Sequence, residues 1–517
     1  MKIWQNISGK SKKTKNENNL SVLSEKVKII INQLILTLLC CAFCLNVMLV
    51  ETHLGEKKYF YWSCIFLFVI ILFFRRTKWY KARIIIPAVV AALTATYYLI
   101  INNSGWGPVY RAQLISKYLA YILAMIFVMD VIYSGKKTLP LIKKPFFIFT
   151  FLVFCVALIL KPMETEYVIF PMLALYLTPI DKVNWKRLML GISIGIYFSF
   201  VMCITYSLRV APDNYSETRY VGSFYTLSTS GLLCGTAILS VTFLIFECWK
   251  YEKMRMYLVP ALCGLYIYPV IMLLKIDSRT SELGIIFLLI FIFIFINKRK
   301  SREIAARAGI SLLVGALCIS LLVSLSKNVD EDSPYLFRRM NKLISVNNGE
   351  SVYSLGIIPK DNAFMNAFDA FSSGRISIWI VGMRQVTWFG NNEVRVVYED
   401  ILDLENIHNT FLDYYVRYGW IGGTLLIMWF FWFLIKAVIA VRKGNKGLLY
   451  PLLWMAYCFG FFIFTSQPWE RPMSFMLLLF QYPFLVKQYD NYEEYCESEA
   501  EKCIYVFDDV EDEIAGL

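Results

Sequence analysis

Residues 418–440 read YGWIGGTLLIMWFFWFLIKAVIA, a run whose single charged side chain, Lys436, lies near its end. A helix of about 20 apolar residues crosses the hydrocarbon core of a bilayer, and this run is of that length. Comparable runs recur near residues 29–50, 59–74, 84–102, 114–133, 145–160, 165–180, 188–207, 222–248, 257–276, 283–297, 308–326, 448–465 and 472–487. The pattern predicts an all-α, polytopic transmembrane helix bundle of about 12–14 helices. Lipid offers no partner to an open backbone amide, so the runs must be helical, and the two-residue alternation of a membrane β-barrel is absent. Composition agrees: of 517 residues, 58% are apolar and 18% are charged, with a mean hydropathy of +0.53. A soluble chain of this length would carry more charge and divide into several domains.

Lysine and arginine set the expected orientation. Alternate connections are basic, as at Arg75, Arg76, Lys78 and Lys81, at Lys136, Lys137, Lys143 and Lys144, at Lys298, Arg299, Lys300 and Arg302, and at Arg442, Lys443 and Lys446. The positive-inside rule then puts both termini in the cytoplasm of a cell-membrane protein. Five parts follow: a basic N-terminus (1–28), a transmembrane bundle (29–326), one long extracytoplasmic loop carrying short helices (327–417), C-terminal helices (418–487) and an acidic cytoplasmic tail (488–517). The first apolar run is too long for a signal-peptide core and is expected to be retained. The net charge of +13 is spread over many short loops, so it reports topology and is weak evidence for nucleic acid, which is not expected as a partner. None of the 13 cysteines falls in the long loop, which leaves no disulfide framework or zinc spacing there.

The chemistry-bearing residues gather where that loop meets the membrane. The chain has 2 histidines, and His408 stands in Ile407-His408-Asn409-Thr410, just ahead of a span opening with Gly419, Gly422 and Gly423. An imidazole with an ordinary pKa near 6.5 is suited to proton transfer. The alternative is a structural histidine capping the helix that begins near Gly419. On the same expected face lie Arg219, Arg279 (after Ser278, in a very short turn) and Arg375, four residues before Trp379. Each arginine alone is equally an interfacial anchor. As a set beside His408, their forked guanidinium groups match the oxygens of a lipid diphosphate. Asn409 is placed to orient the imidazole or a sugar hydroxyl. Asp330-Glu331-Asp332 reads as a solvated turn, so no metal site is expected. Asp, Glu and Lys are missing from mid-span positions, which argues against an ion-coupled transporter.

Ser278-Arg279 before an apolar helix, Gly374-Arg375 with Trp379 and Gly390, and His408-Asn409 followed by Leu412, Gly419 and Gly422 resemble the O-antigen ligase and polymerase family in order and spacing. Arg219-x-x-Gly222-x-Phe224 is similar to that family's other arginine motif, without the Pro-Asn that usually follows it. The resemblance covers about residues 219–425. It implies a glycosyltransferase of the extracytoplasmic face, with a polyprenyl-diphosphate-linked oligosaccharide as donor, a saccharide acceptor and no cofactor. His408, Arg279 and Arg219 would be catalytic, with Arg375, Asn409, Ser278 and Trp379 binding substrate. A diphosphate leaves readily and needs charge stabilisation more than protonation, so arginines can replace the acid of a glycosidase. The implied partners are the lipid bilayer and a chain-length regulator or flippase. Three functions stay open: repeat-unit polymerase, ligase to another acceptor, and lipid-linked saccharide flippase.

Overall fold

The computed structural model describes residues 27–50, 52, 57–75, 82–101, 108–133, 145–160, 162–178, 180, 182–216, 219–224, 226–249, 252–276, 278–295, 357–358, 362, 365–366, 369, 375–391, 396–398, 402–404, 407–442, 448–463, 465, 476 and 479–482. The apolar run 308–326, most of the loop 327–417 with Asp330-Glu331-Asp332, and the acidic tail lie outside the described residues, as do the side chains of Arg219 and Arg279.

The chain is a helical bundle. It opens with α1 (Val27–Leu49), α2 (Lys57–Arg75), α3 (Ala82–Ile101), α4 (Pro108–Tyr133), α5 (Pro145–Leu160), α6 (Pro162–Tyr176) and α7 (Lys182–Val210). A two-residue hairpin of β1 (Tyr215–Ser216) and β2 (Arg219–Tyr220) precedes α8 (Leu227–Trp249), α9 (Glu252–Leu265), α10 (Ile267–Ile276) and α11 (Arg279–Phe295). Then come α12 (Arg375–Arg384), a second hairpin of β3 (Val396–Tyr398) and β4 (Leu402–Leu404), α13 (Thr410–Arg442) and α14 (Leu449–Phe462). Both hairpins are antiparallel and lie outside the apolar runs. Among the described residues, 6 helical stretches are long and apolar enough to cross a membrane, and five shorter apolar helices accompany them. The all-α polytopic expectation holds.

Burial sorts the helices. α8 is buried along nearly its whole length and forms a central post. α13 instead exposes Ile421, Met428, Trp432, Ile435 and Ile439, spaced so that they share one helical face, and that face is the one turned to lipid. The run expected as one helix over 257–276 is divided at Tyr266, between α9 and α10. Pro269 supplies the reason: it has no N–H for the carbonyl of Leu265, four residues back, and the Tyr197 hydroxyl donates to that carbonyl instead, at 3.0 Å.

Ionic contacts mark one end of the bundle. Arg75, at the end of α2, pairs with Asp130 of α4 at 2.5 Å and donates to the Leu177 carbonyl at 3.1 Å. Lys186 and Glu247 pair at 3.1 Å at the same end, joining the start of α7 to the end of α8. Asp130 and Glu247 sit near helix ends, as the sequence led one to expect, but they face basic partners within the protein.

α13 departs most from expectation. Its helix begins at Thr410, ahead of Gly419, and Gly419 breaks it with φ 70° and ψ −176°. The residues before and after the break fold back on each other. The Phe411 ring lies 5.4 Å from Phe430 and 5.9 Å from Phe431, a meeting that a straight helix would keep roughly 28 Å apart at 1.5 Å per residue. Gly423, with no side chain, lets the Tyr415 backbone close against the second segment. The turn 387–391 ties off the break. Trp420 N–H donates to Thr387 O at 3.0 Å, Ile421 N–H to Trp388 O at 3.4 Å, and Asn391 N–H to Val416 O at 2.8 Å. Carbonyls and amides that a broken helix would strand are thereby satisfied.

Candidate active site

The fold brings the Ser278-Arg279 and His408-Asn409 segments to one level. Along α8, Tyr450 of α14 stacks on Phe243 at 4.0 Å between ring centroids, and Tyr457 fills the space over Gly235. α14 therefore runs antiparallel to α8. Ser278 packs over Gly231, four residues further along α8, which is about 6 Å at the helical rise and brings it to the level where α14 ends. There Asn409 donates through Nδ2 to the Ile463 carbonyl at 2.9 Å, and the Thr410 hydroxyl donates to the Thr465 carbonyl. α11 starts at Arg279 and α13 at Thr410, so the N-terminal ends of two helices stand at this level.

Ser278 is buried and stands at the position before α11. Its carbonyl accepts from the N–H groups of Ser281 and Glu282, at 3.1 and 3.0 Å, and its hydroxyl bonds to that of Thr280 at 3.1 Å. Arg279 is the first residue of that helix. The Arg219 hairpin packs against α10, the helix leading into this turn. Lys275 holds the two together, its ammonium 5.1 Å from the Tyr220 ring centroid and 5.7 Å from that of Tyr215. The Ser207 hydroxyl pairs with that of Tyr220 at 3.0 Å and accepts from Ser223 N–H at 2.8 Å, which fixes the hairpin's exit. Lys275 ends an apolar run, and only the tyrosines of the hairpin, 55 and 60 residues earlier in the chain, reveal its use.

His408 is the described non-glycine residue with a left-handed backbone, at φ 55°. This conformation costs an ordinary residue about 1 kcal/mol or more and tends to persist where function requires it. Its neighbours enforce it. On one side Asn409 caps α13, its Oδ1 accepting from Leu412 N–H at 3.0 Å. On the other, the Trp379 indole N–H donates to the Ile407 carbonyl at 3.1 Å, and the Ile407 side chain packs on Gly382 of α12. The helix cap is therefore Asn409, and the helix it caps begins at Thr410. α12 is itself pinned by Asp369, whose carboxylate accepts from the N–H and hydroxyl of Ser377 at 2.9 and 2.7 Å.

Arg375 opens α12 and faces His408 closely enough to act on it electrostatically. Burial first, and the Arg375 charge second, push the His408 pKa down to about 4. The ordinary value near 6.5 expected from sequence does not apply, and the imidazole is neutral at any physiological pH. A neutral imidazole beside a fixed cation, at the level of two helix N-termini, can take up a proton next to a bound anion.

Compared with known protein families, residues 264–427 match the O-antigen ligase family. No curated protein and no solved structure matches the chain. The matched stretch starts ahead of Ser278-Arg279, takes in Arg375, Trp379 and His408-Asn409, and ends beyond the break at Gly419. Over residues 264–427, the stretch that holds these motifs, the chain is therefore similar to the O-antigen ligase family.

Proposed function

We propose that this protein polymerises lipid-linked oligosaccharide repeat units into a surface polysaccharide, on the extracytoplasmic face of the cell membrane with both termini in the cytoplasm. The observation that carries the reading is the neutral imidazole of His408 beside Arg375, level with the Ser278-Arg279 helix start. In the proposed step, His408 takes the proton from an acceptor sugar hydroxyl and the freed oxygen bonds to the anomeric carbon of the donor. The bond from that carbon to the diphosphate breaks, its electron pair goes to the diphosphate oxygen, and configuration inverts. Arg279, Arg219 and Arg375 hold the diphosphate as its charge grows, with Lys275 keeping the first two segments together. Asn409 and Trp379 fix the imidazole's position through the backbone on either side of it. The alternation of basic loops supports the orientation, because it puts the Arg75–Asp130 end inside and the His408 end outside.

A second reading, transfer of finished polymer to a different acceptor, is favoured by the family's description as O-antigen ligase. Both use the same chemistry and differ in the acceptor. Purified protein in nanodiscs, supplied with a polyprenyl-diphosphate-linked repeat unit as its sole saccharide, separates them. A polymerase yields a ladder of lengthened lipid-linked chains. A ligase yields product only once a distinct acceptor is added, and inertness toward both would refute glycosyl transfer altogether. In the same assay, Arg279→Lys keeps the charge but loses the two-pronged grip, so turnover should drop by about 10²-fold while the protein still inserts. Wild-type turnover and donor affinity in that variant would reduce Arg279 to an interfacial anchor.

A further inference from the structure

Trp388 and Phe389, at the tip of the turn 387–391, are each 69% exposed. The backbone beneath them is turned inward, since Thr387 O, Trp388 O and Asn391 N–H all bond to the break in α13. The Asn391 amide closes the turn by donating to Gln385 O at 3.1 Å. Large exposed aromatic rings on a backbone whose polar groups are already paired can enter the boundary of a bilayer at low cost. The turn also continues a surface that faces lipid. Trp388 O is bonded to the N–H of Ile421, where the exposed stripe of α13 begins, and Trp420 beside it is 40% exposed. Arg384, exposed at the end of α12, adds a cation at the base of the same turn.

We infer that Trp388, Phe389 and Trp420 anchor this end of the protein in the headgroup zone of the adjacent leaflet, the occupant of the aromatic tip being the lipid surface. A depth for the candidate site follows. From the tip at Gly419 the first segment of α13 leads back through nine residues to Thr410, about 13 Å of helix, before His408 is reached. His408 is thus set back from the aromatic tip by that length of helix, on its membrane side. The anchoring itself does not rest on the proposed transfer reaction.

The test places p-benzoyl-phenylalanine at Phe389 in the full chain, reconstituted in nanodiscs of phosphatidylethanolamine and phosphatidylglycerol. Ile435, 55% exposed on the lipid face of α13, receives the same group as a positive control. Irradiation should give lipid adducts by mass spectrometry at both positions. Trp388→p-benzoyl-phenylalanine serves as a second probe where the first variant is not monodisperse. Lipid adducts at 435 with none at either turn position would overturn the anchor. So would loss of the lipid adduct in favour of a saccharide adduct once lipid-linked oligosaccharide is added, which would make the pair a sugar platform.

Discussion

Replacing His408 by Asn should remove turnover, by about 10²–10⁴-fold, while leaving the fold and donor binding in place. Asn is the informative replacement because it accepts a left-handed backbone better than Ala or Gln do, so the φ of 55° is kept with little strain. It retains hydrogen-bonding groups but cannot take up the proton. The pH profile separates a base from a structural histidine. The base works only when neutral, so activity is lost as pH falls through its pKa. In the free enzyme that value is pushed down to about 4 by burial and by Arg375. The acid limb of kcat/KM should therefore fall near 4, well below the ordinary histidine range around 6.5. Bound donor brings negative charge to Arg375 and offsets its effect, so the acid limb of kcat should lie at higher pH than that of kcat/KM. An Asn variant at wild-type turnover, or one retaining the acid limb, would remove His408 from the chemistry.

That pH behaviour was hidden from the sequence, and the reason is physical. Hydropathy reports whether a segment can leave water, so the bundle and most of its helices were legible as apolar runs. The Ser278-Arg279 and His408-Asn409 pairs were legible as polar groups at the ends of such runs. What was not legible depends on contacts between distant segments. The shift at His408 needs its burial in the folded chain and, second, the charge of Arg375, thirty-three residues earlier. The Arg75–Asp130 pair joins α2 to α4, and Lys275 finds its tyrosines across two intervening helices, α8 and α9. Asn409, expected to orient a ring or a sugar hydroxyl, spends its side chain on Leu412 N–H and Ile463 O. The largest difference is at α13. An apolar run reads the same whether it continues straight or doubles back, so the glycines at 419, 422 and 423 marked a helix start in the sequence and a fold-back in the structure.

Gly419→Ala should accordingly cost more than any ordinary helix substitution, about 3 kcal/mol or more of stability, with loss of activity. The backbone at φ 70° and ψ −176° lies in a region open in practice to glycine alone. A Cβ there would also stand 2.3 Å from Trp388 O and 2.4 Å from Gly390 N, atoms of the turn that satisfies the broken helix. Neither can retreat without breaking the bonds from Trp420 and Ile421. Gly390 faces the same constraint, at φ 88° with Arg417 O 2.0 Å from its Cβ position. Straightening α13 would relieve the clash, but it would separate Phe411 from Phe430 and carry Asn409 away from Ile463, and His408 with it. Gly264→Ala is the control. That glycine is helical, with nothing within 4 Å of its Cβ position, so alanine there should be neutral or stabilising by up to about 1 kcal/mol. The comparison is of thermal midpoints in detergent alongside product formation. Equal midpoints for the two variants would mean that the fold-back is not the stable form of α13, and the placement of His408 level with Ser278 would fall with it.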